Sequence, residues 1–167
     1  LLMKYSGLDG AILDWMGVSG KNDHGAIHEY TQKMISALTK AGMKFAICYD
    51  EQTALGDWVF SDLNEAITQG RADMRFLKNS WLSKSNYAKN GNRPVVLCFG
   101  PVRVQQPESW TYITNPLGSD VDFVVLNGFS SRANDSSNSN ATGEFTWVND
   151  SPDYSVAKKF SIYVGGA

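Results

Sequence analysis

The sequence has no long apolar run and no block of basic residues. No stretch approaches the roughly 20 apolar residues that a membrane-spanning helix needs. Basic and acidic residues nearly balance, with 15 against 17 in a chain of 167. The sequence therefore predicts no transmembrane segment and disfavours nucleic acid or an anionic membrane surface as the partner.

Several motifs that would mark a cofactor or a nucleophile are also missing. The chain has no Gly-x-Gly-x-x-Gly or Walker-type loop and no Gly-x-Ser-x-Gly elbow. Cys48 and Cys98 each lie in an apolar, strand-like run, which favours buried thiols over a disulfide or a metal pair. His24 and His28 have helical i, i+4 spacing, but no Glu follows in a His-Glu-x-x-His arrangement, so we predict no metal site.

The chain does contain alternating strand-like and helix-like segments, a pattern typical of parallel βαβ units. Its apolar content of 43% is enough for one hydrophobic core. Predicted strands cover 8–15, 43–49, 95–99, 121–126, 145–148 and 161–164, and predicted helices cover 25–41, 62–78, 107–114 and 154–159. The Ser- and Asn-rich segment 130–143 is predicted to be a loop.

This order of segments predicts an α/β fold. A partial (β/α)₈ TIM barrel fits it better than an open doubly wound sheet, because the chain lacks nucleotide-binding glycine loops. We expect residues 1–167 to be a fragment of a single catalytic domain, truncated at both ends. The sequence begins in a helix-like segment and stops just after a strand-like run.

Two helices have a recognisable apolar face and recognisable ends. Periodicity places Ile27, Met34, Ile35 and Leu38 on the inward face of the first, and Gly42 suits the position after its end. Ser61 is the predicted cap of the helix over 62–78.

Polar and aromatic residues recur where the predicted strands end. In a parallel barrel these ends share one rim, and that rim is where such folds bind substrate. The predicted rim residues are Asp14, Trp15, Tyr49, Asp50, Glu51, Gln52, Asn127 and Trp147, with His24 in the loop after the first strand. Carboxylates, amides and aromatic rings together indicate carbohydrate acid–base chemistry.

The roles of individual rim residues stay open from these patterns alone. Side chains alternate along a strand, so Asp50 and Glu51 share a direction only if the chain bends between them. The other interpretation is that one of them is functional and its neighbour caps a loop. Asp14 can likewise be a loop-capping carboxylate, and Trp15 and Trp147 can be packing residues.

Ordered blocks of the sequence resemble one known family. The blocks are 7–15, 42–53, 91–101, 143–148 and 164–167, which together span nearly the whole chain. They resemble the glycoside hydrolase family 71/99-like group of (β/α)₈-barrel proteins, which is related to endo-α-mannosidases and α-1,3-glucanases. The resemblance implies hydrolysis of α-linked glycans without a cofactor. It also implies an oligosaccharide or polysaccharide substrate, and a secreted, periplasmic or cell-surface location.

The resemblance also implies roles for individual residues. The endo-α-mannosidase branch uses two Glu in a Glu-Pro-Tyr-Glu-like run, and this chain has Cys48-Tyr49-Asp50-Glu51 in a similar place. Glu51 matches the second Glu and is predicted to be the general acid or acid/base, and Asp50 the partner carboxylate or a substrate ligand. The substrate contacts are predicted from the strand ends and not from the resemblance: Asp14, Trp15, Tyr49, Gln52, Asn127, Trp147 and His24.

Two other functions compete with this prediction. One is a non-catalytic carbohydrate-binding or scaffold barrel that has kept the fold without the acid pair. The other is an unrelated barrel enzyme that binds phosphate, for which Gly165 and Gly166 are the only hint of a phosphate loop. The sequence leaves the exact glycan and the oligomeric state open.

Overall fold

Six parallel strands form the sheet, and each pairs with the next parallel strand along the chain. The computed structural model describes residues 2–146 and 163–164. The parallel strands are β1 (Gly10–Trp15), β2 (Lys44–Tyr49), β4 (Arg93–Cys98), β5 (Asp122–Leu126), β6 (Gly143–Phe145) and β7 (Tyr163–Val164). A two-residue strand, β3 (Lys89–Asn90), pairs antiparallel with β4 through a turn at Gly91, where φ is 58°.

Helices connect the parallel strands, as the alternating pattern predicts. They are α1 (Leu2–Tyr5), α2 (His24–Lys40), α3 (Glu51–Ala54), α4 (Leu63–Ser80), α5 (Pro107–Thr114), with a 3₁₀ turn at Asn115–Leu117, and α6 (Ser130–Ala133). Gly42 follows α2 with a φ of 65°, a left-handed conformation that favours glycine. Among the described helices, none is long and apolar enough to cross a membrane.

The two faces of the sheet have different coverings. On one face Phe45, Ile47 and Val96 pack against buried helix residues such as Leu38 and Leu77 in one large core. The other face has a smaller cluster made of strand residues: Ala46, Cys48, Leu97, Val124 and Phe145. Strands β2, β4 and β5 therefore direct alternate side chains to the helix-covered face and to the second face of the sheet.

The predicted α/β fold with a mainly parallel sheet is confirmed. The helix expected at 107–114 is present over those residues, and Cys48 and Cys98 are buried free thiols whose pKa values burial raises. The predicted helix at 154–159, the strand residues 147–148 and the glycines at 165–166 lie outside the described residues.

Two local predictions about the helices are wrong. Met34 is 46% exposed, because the buried stripe of α2 follows Thr31, Ile35 and Leu38 instead. The cap of α4 is Asp62 rather than Ser61, since its carboxylate accepts the Asn64 N–H at 2.8 Å.

The Ser- and Asn-rich segment is more ordered than its composition predicts. It begins with α6, and its side chains then replace the hydrogen bonds that a sheet would supply. Asn134 Oδ1 accepts the N–H groups of Asn140 and Ala141, and Asn140 Nδ2 donates to the carbonyls of Pro107 and Ala133.

A buried carboxylate joins α4 to the first two parallel strands. Asp73 Oδ1 accepts hydrogen bonds from the Val18 N–H and from Gln69 Nε2, both at 2.8 Å, and Oδ2 accepts from the Tyr49 hydroxyl at 2.7 Å. Gly17 lies against this carboxylate with a φ of 81°, so any side chain there would collide with Asp73. Desolvation raises the pKa of Asp73 to about 6, although its three hydrogen bonds oppose that shift.

We expect Asp73→Asn to lower the free energy of unfolding by about 1–3 kcal/mol, because an amide has one acceptor oxygen for three donors. The raised pKa means that the wild type gains stability from Asp73 at low pH and loses it as pH rises through about 6. The difference between wild type and variant should therefore be larger at pH 4 than at pH 7 in urea unfolding. Asp9→Asn, at an exposed position, is the control, and an equal loss in both variants would contradict the prediction.

Candidate functional site

Two carboxylates come together where β1 and β2 end. The Cα of Asp14 is paired with that of Cys48, and the Asp50 N–H donates to the Trp15 carbonyl at 2.9 Å. Asp14, Cys48 and Asp50 share one alternation, on strands that are about 4.8 Å apart. We call this side of the sheet, with Asp14, Asp50, Gln52 and Asn127, the carboxyl edge.

The Asp14 carboxyl group has the perturbed acidity that an acid catalyst needs. Partial desolvation, followed by the nearby negative charge of Asp50, raises the pKa of Asp14 to about 6, and a hydrogen bond from the Trp15 N–H opposes the shift. Residue 14 is nevertheless exposed, so a ligand can reach it. Perturbed titration in an accessible group is a feature of functional sites.

Asp50 also organises the chain after β2. Its Oδ1 accepts the Thr53 N–H at 3.1 Å, which makes Asp50 the N-cap of α3. The strand therefore ends at Tyr49 and the chain turns immediately into a helix. Asp50 is therefore a helix cap whose charge also acts on Asp14.

Glu51 points away from this pair into a buried position. Its Oε2 accepts the Val102 N–H at 2.7 Å, its Oε1 accepts the Val104 N–H at 2.7 Å, and both oxygens accept the Arg103 N–H. Its side chain is 0% exposed. Desolvation raises its pKa while these N–H groups oppose the shift. The geometry makes Glu51 the anchor of the loop after β4, without an oxygen open to a glycosidic bond.

A glycine makes room for this anchor. A Cβ at position 100 would come within 2.7 Å of Glu51 Oε2, so a side chain there would displace the carboxylate. Gly100 and the segment 102–104 thus enclose Glu51 from two sides. The chain bends between Asp50 and Glu51, and the bend sends the two carboxylates to different partners.

Three of the predicted substrate contacts are buried: Trp15, Tyr49 and His24. Trp15 is 0% exposed and donates from Nε1 to His28 Nδ1 at 3.1 Å, and Tyr49 is 0% exposed and donates to Asp73. Both side chains alternate with Asp14 and Cys48, so they face the helices instead of a ligand. These contacts give Trp15 and Tyr49 a packing role in place of the predicted sugar contact.

His24 is also buried, with 1% exposure, and its Nδ1 lies 2.9 Å from Ser19 Oγ. Desolvation lowers the pKa of His24, and the charges of Asp23 and Asp50 oppose that effect. His24 is therefore within electrostatic range of the carboxyl edge, although its ring is covered by protein.

The two predicted amides lie on the carboxyl edge itself. Gln52 is exposed on α3, and Asn127 follows β5 with its N–H donating to the Phe145 carbonyl at 2.8 Å. Among the described residues, two buried side-chain polar atoms lack a hydrogen-bond partner: Asn127 Oδ1 and Arg103 Nε. Both follow parallel strands at their carboxyl ends, and such atoms call for a partner. Trp147 lies outside the described residues.

Sequence reasoning missed the loop contacts that surround these residues. Arg103 Nη2 forms an ion pair with Asp57 Oδ1 at 2.7 Å, which joins the loop after β4 to the segment between α3 and α4. The neighbouring Trp58 is 63% exposed. The pattern Gly56-Asp57-Trp58, a turn signal beside an aromatic, was the available sequence signal.

We expect Glu51→Gln to destabilise the protein by about 1–3 kcal/mol, because the amide nitrogen would face backbone N–H groups that have lost an acceptor. Glu108→Gln is the control, since Glu108 is exposed in the first turn of α5 and should change stability by no more than about 0.5 kcal/mol. Chemical denaturation of both variants measures the difference. Equal stabilities would show that Glu51 does not anchor the loop.

We expect Asp50→Asn to lower the pKa of Asp14, because the charge of Asp50 is one of the two causes that raise it. Titration of the side-chain ¹³C carboxyl signals by NMR measures the pKa in wild type and variant. Asp120→Asn removes a charge near the opposite end of the sheet and should leave the Asp14 pKa unchanged. An unchanged Asp14 pKa in Asp50→Asn would show that the charge of Asp50 does not raise the pKa of Asp14.

The described residues contain no group of three or more His, Cys, Asp or Glu side chains that could hold a metal ion. In comparisons with family models, curated proteins and solved structures, no match to this chain is found.

Proposed function

We propose that the protein is a glycoside hydrolase that cleaves α-linked glycans at the carboxyl edge, with Asp14 as the proton donor and Asp50 as the partner carboxylate. The observation that carries the proposal is the pair itself. Two carboxylates from adjacent parallel strands meet at one edge, and the pKa of the exposed Asp14 is raised to about 6. In glycosidases the proton donor is a carboxyl group whose pKa is raised and which lies close to a second carboxylate.

The proposed chemistry uses the two groups in different roles. Protonated Asp14 gives its proton to the glycosidic oxygen as the bond to the anomeric carbon breaks. The anomeric carbon then gains a new bond to water, either directly, with Asp50 taking the proton of that water as base, or after Asp50 has formed a glycosyl ester that water hydrolyses. The side-chain amides of Asn127 and Gln52, which follow β5 and β2 at this edge, would exchange hydrogen bonds with sugar hydroxyls.

Glu51 has a supporting role in this proposal. The resemblance to the family 71/99-like group implies that Glu51 is the acid, but its carboxylate accepts four hydrogen bonds from the loop after β4. We assign to it the task of holding that loop beside Asp50. The acid role then passes to Asp14, which is exposed and has the raised pKa.

The fold is consistent with this assignment. The parallel strands follow one another in sequence order, and the helix residues buried in the core all lie in the larger cluster on one face. A (β/α)₈ barrel is built in this way, and it binds substrate at the carboxyl ends of its strands. The substrate class, an export location and the complete barrel are parts of the proposal that rest on the sequence resemblance.

A non-catalytic carbohydrate-binding barrel is the second candidate, and one specific observation favours it. Cys48 occupies the position where the resemblance places the first Glu, and it is buried, with burial raising its thiol pKa. With Glu51 also buried, neither position of the expected pair presents an acid. Such a protein would keep its affinity for glycan and release no reducing ends.

The test measures reducing-end release from α-1,3-glucan and α-mannan oligosaccharides by the wild type, Asp14→Asn and Asp50→Asn. We expect each substitution to lower kcat by about 10²–10⁴-fold. The wild-type rate should fall as pH rises through about 6, because Asp14 must be protonated to act as the acid. Asp9→Asn, just before the opposite end of β1, should keep full activity.

The other outcomes separate the candidates. Glycan binding without turnover in the wild type would establish the binding barrel in place of the enzyme. Full activity in Asp14→Asn, with loss of activity in Glu51→Gln at unchanged stability, would return the acid role to Glu51. If the wild type neither binds nor cleaves either glycan, the proposed substrate class is overturned.

A further inference from the structure

Trp58 is an exposed aromatic in a loop that is otherwise anchored. It lies between α3 and α4 and is 63% exposed, whereas the next two residues, Val59 and Phe60, are 9% and 5% exposed. A single exposed apolar side chain is common on protein surfaces and needs no explanation by itself. What distinguishes Trp58 is the closed turn that carries it and the places where that turn is attached to the rest of the molecule.

The indole ring is held against the backbone of Gly56. A Cβ at position 56 would come within 2.7 Å of Trp58 Cζ2 and 2.6 Å of the Gln52 carbonyl oxygen, so only glycine leaves room for the ring. The turn is closed by hydrogen bonds from the N–H groups of Val59 and Phe60 to the Gly56 carbonyl, both 2.9 Å. The six-membered ring of the indole is therefore packed on a closed turn, close to the backbone of Gln52.

Two charged contacts fix this turn to the rest of the molecule. Lys21 Nζ donates to the Val59 carbonyl at 3.2 Å and lies 3.9 Å from the centre of the Phe60 ring. On the other side, Asp57 pairs with Arg103, whose own N–H is bound by Glu51. The turn that carries Trp58 is thus tied to the loops after β1 and β4.

We infer that Trp58 is a stacking platform for a pyranose ring of a glycan bound at the carboxyl edge. This inference rests on the proposed function and extends it to a named binding residue. A sugar presents an apolar face of C–H groups, and a flat, uncharged indole complements that face without needing a charge on the ligand.

The arrangement also supplies polar partners beside the ring. Gln52 has an exposed side chain, and its backbone carbonyl lies against the same turn as the indole. An amide on the segment next to the ring suits the hydroxyl groups around a stacked sugar. The inferred ligand is therefore a neutral, α-linked oligosaccharide long enough to reach beyond the Asp14–Asp50 pair.

The test is titration calorimetry of the protein with α-1,3-glucan and α-mannan oligosaccharides, using Trp58→Ala, Trp58→Phe and Tyr30→Ala. Trp58→Ala should weaken binding roughly tenfold or more, and Trp58→Phe should recover part of that loss because it keeps a flat ring. Tyr30 is 64% exposed on α2 and serves as the matched exposed aromatic, so its substitution should leave affinity unchanged. Wild-type tryptophan fluorescence should shift on binding, and the shift should shrink in Trp58→Phe.

The outcomes distinguish this inference from the proposed function. If the wild type binds glycan and Trp58→Ala binds equally well, Trp58 is not a platform, and the role of the carboxyl edge is untouched. If Trp58→Ala and Tyr30→Ala lose affinity equally, the effect is not specific to Trp58, and the inference again fails. If the wild type binds neither glycan, the proposed function and the platform are overturned together.

Discussion

The bonds between Glu51 and three consecutive backbone N–H groups are the constraint on which the carboxyl edge depends. A buried, desolvated carboxylate is tolerated only when its oxygens are satisfied, and the segment 102–104 supplies the donors. Because Glu51 is the first residue of α3, the contact fixes the end of β2 and the loop after β4 to each other. The Asp57–Arg103 ion pair then adds a second link between the same two parts of the chain. Asp50 keeps its place as a helix cap next to this double attachment, and Trp58 is held in the turn that follows.

The difference between the two faces of the sheet explains why residues that are adjacent in the sequence have different surroundings. Trp15 and Tyr49 complete the helix-covered core, whereas Asp14 and Cys48 belong to the other face. Trp15 and Tyr49 also each donate to a buried polar partner, which keeps their polar atoms satisfied among apolar neighbours. The same alternation therefore separates the side chains that pack under the helices from those on the second face of the sheet.

Periodicity and end signals predicted most of the fold, and the strand ends predicted where a site should lie. The helix at 107–114, the glycine after α2 and the parallel strand order follow from local rules. The direction of Glu51 could not be predicted, because it depends on donors about fifty residues away in the chain. Burial of Trp15 and Tyr49 was similarly hidden, since alternation shows which residues share a face but not which face the helices cover. The ordered structure of segment 130–143 could not be predicted from its composition, because it depends on hydrogen bonds made by specific Asn side chains.

That Asn-rich segment has a consequence for how the protein can vary. Where a loop is stabilised by a neighbouring strand, the backbone makes the contacts and most side chains can change. Here Asn134 and Asn140 make the contacts themselves, and Asn140 reaches across to the carbonyl of Pro107 at the start of α5. An insertion between these two asparagines would separate paired groups, whereas exposed positions such as Ser136 and Ser137 can be exchanged freely. A segment whose composition suggests tolerance is therefore one in which specific side chains, among them Asn134 and Asn140, and the spacing between them are constrained by contacts that extend to α5.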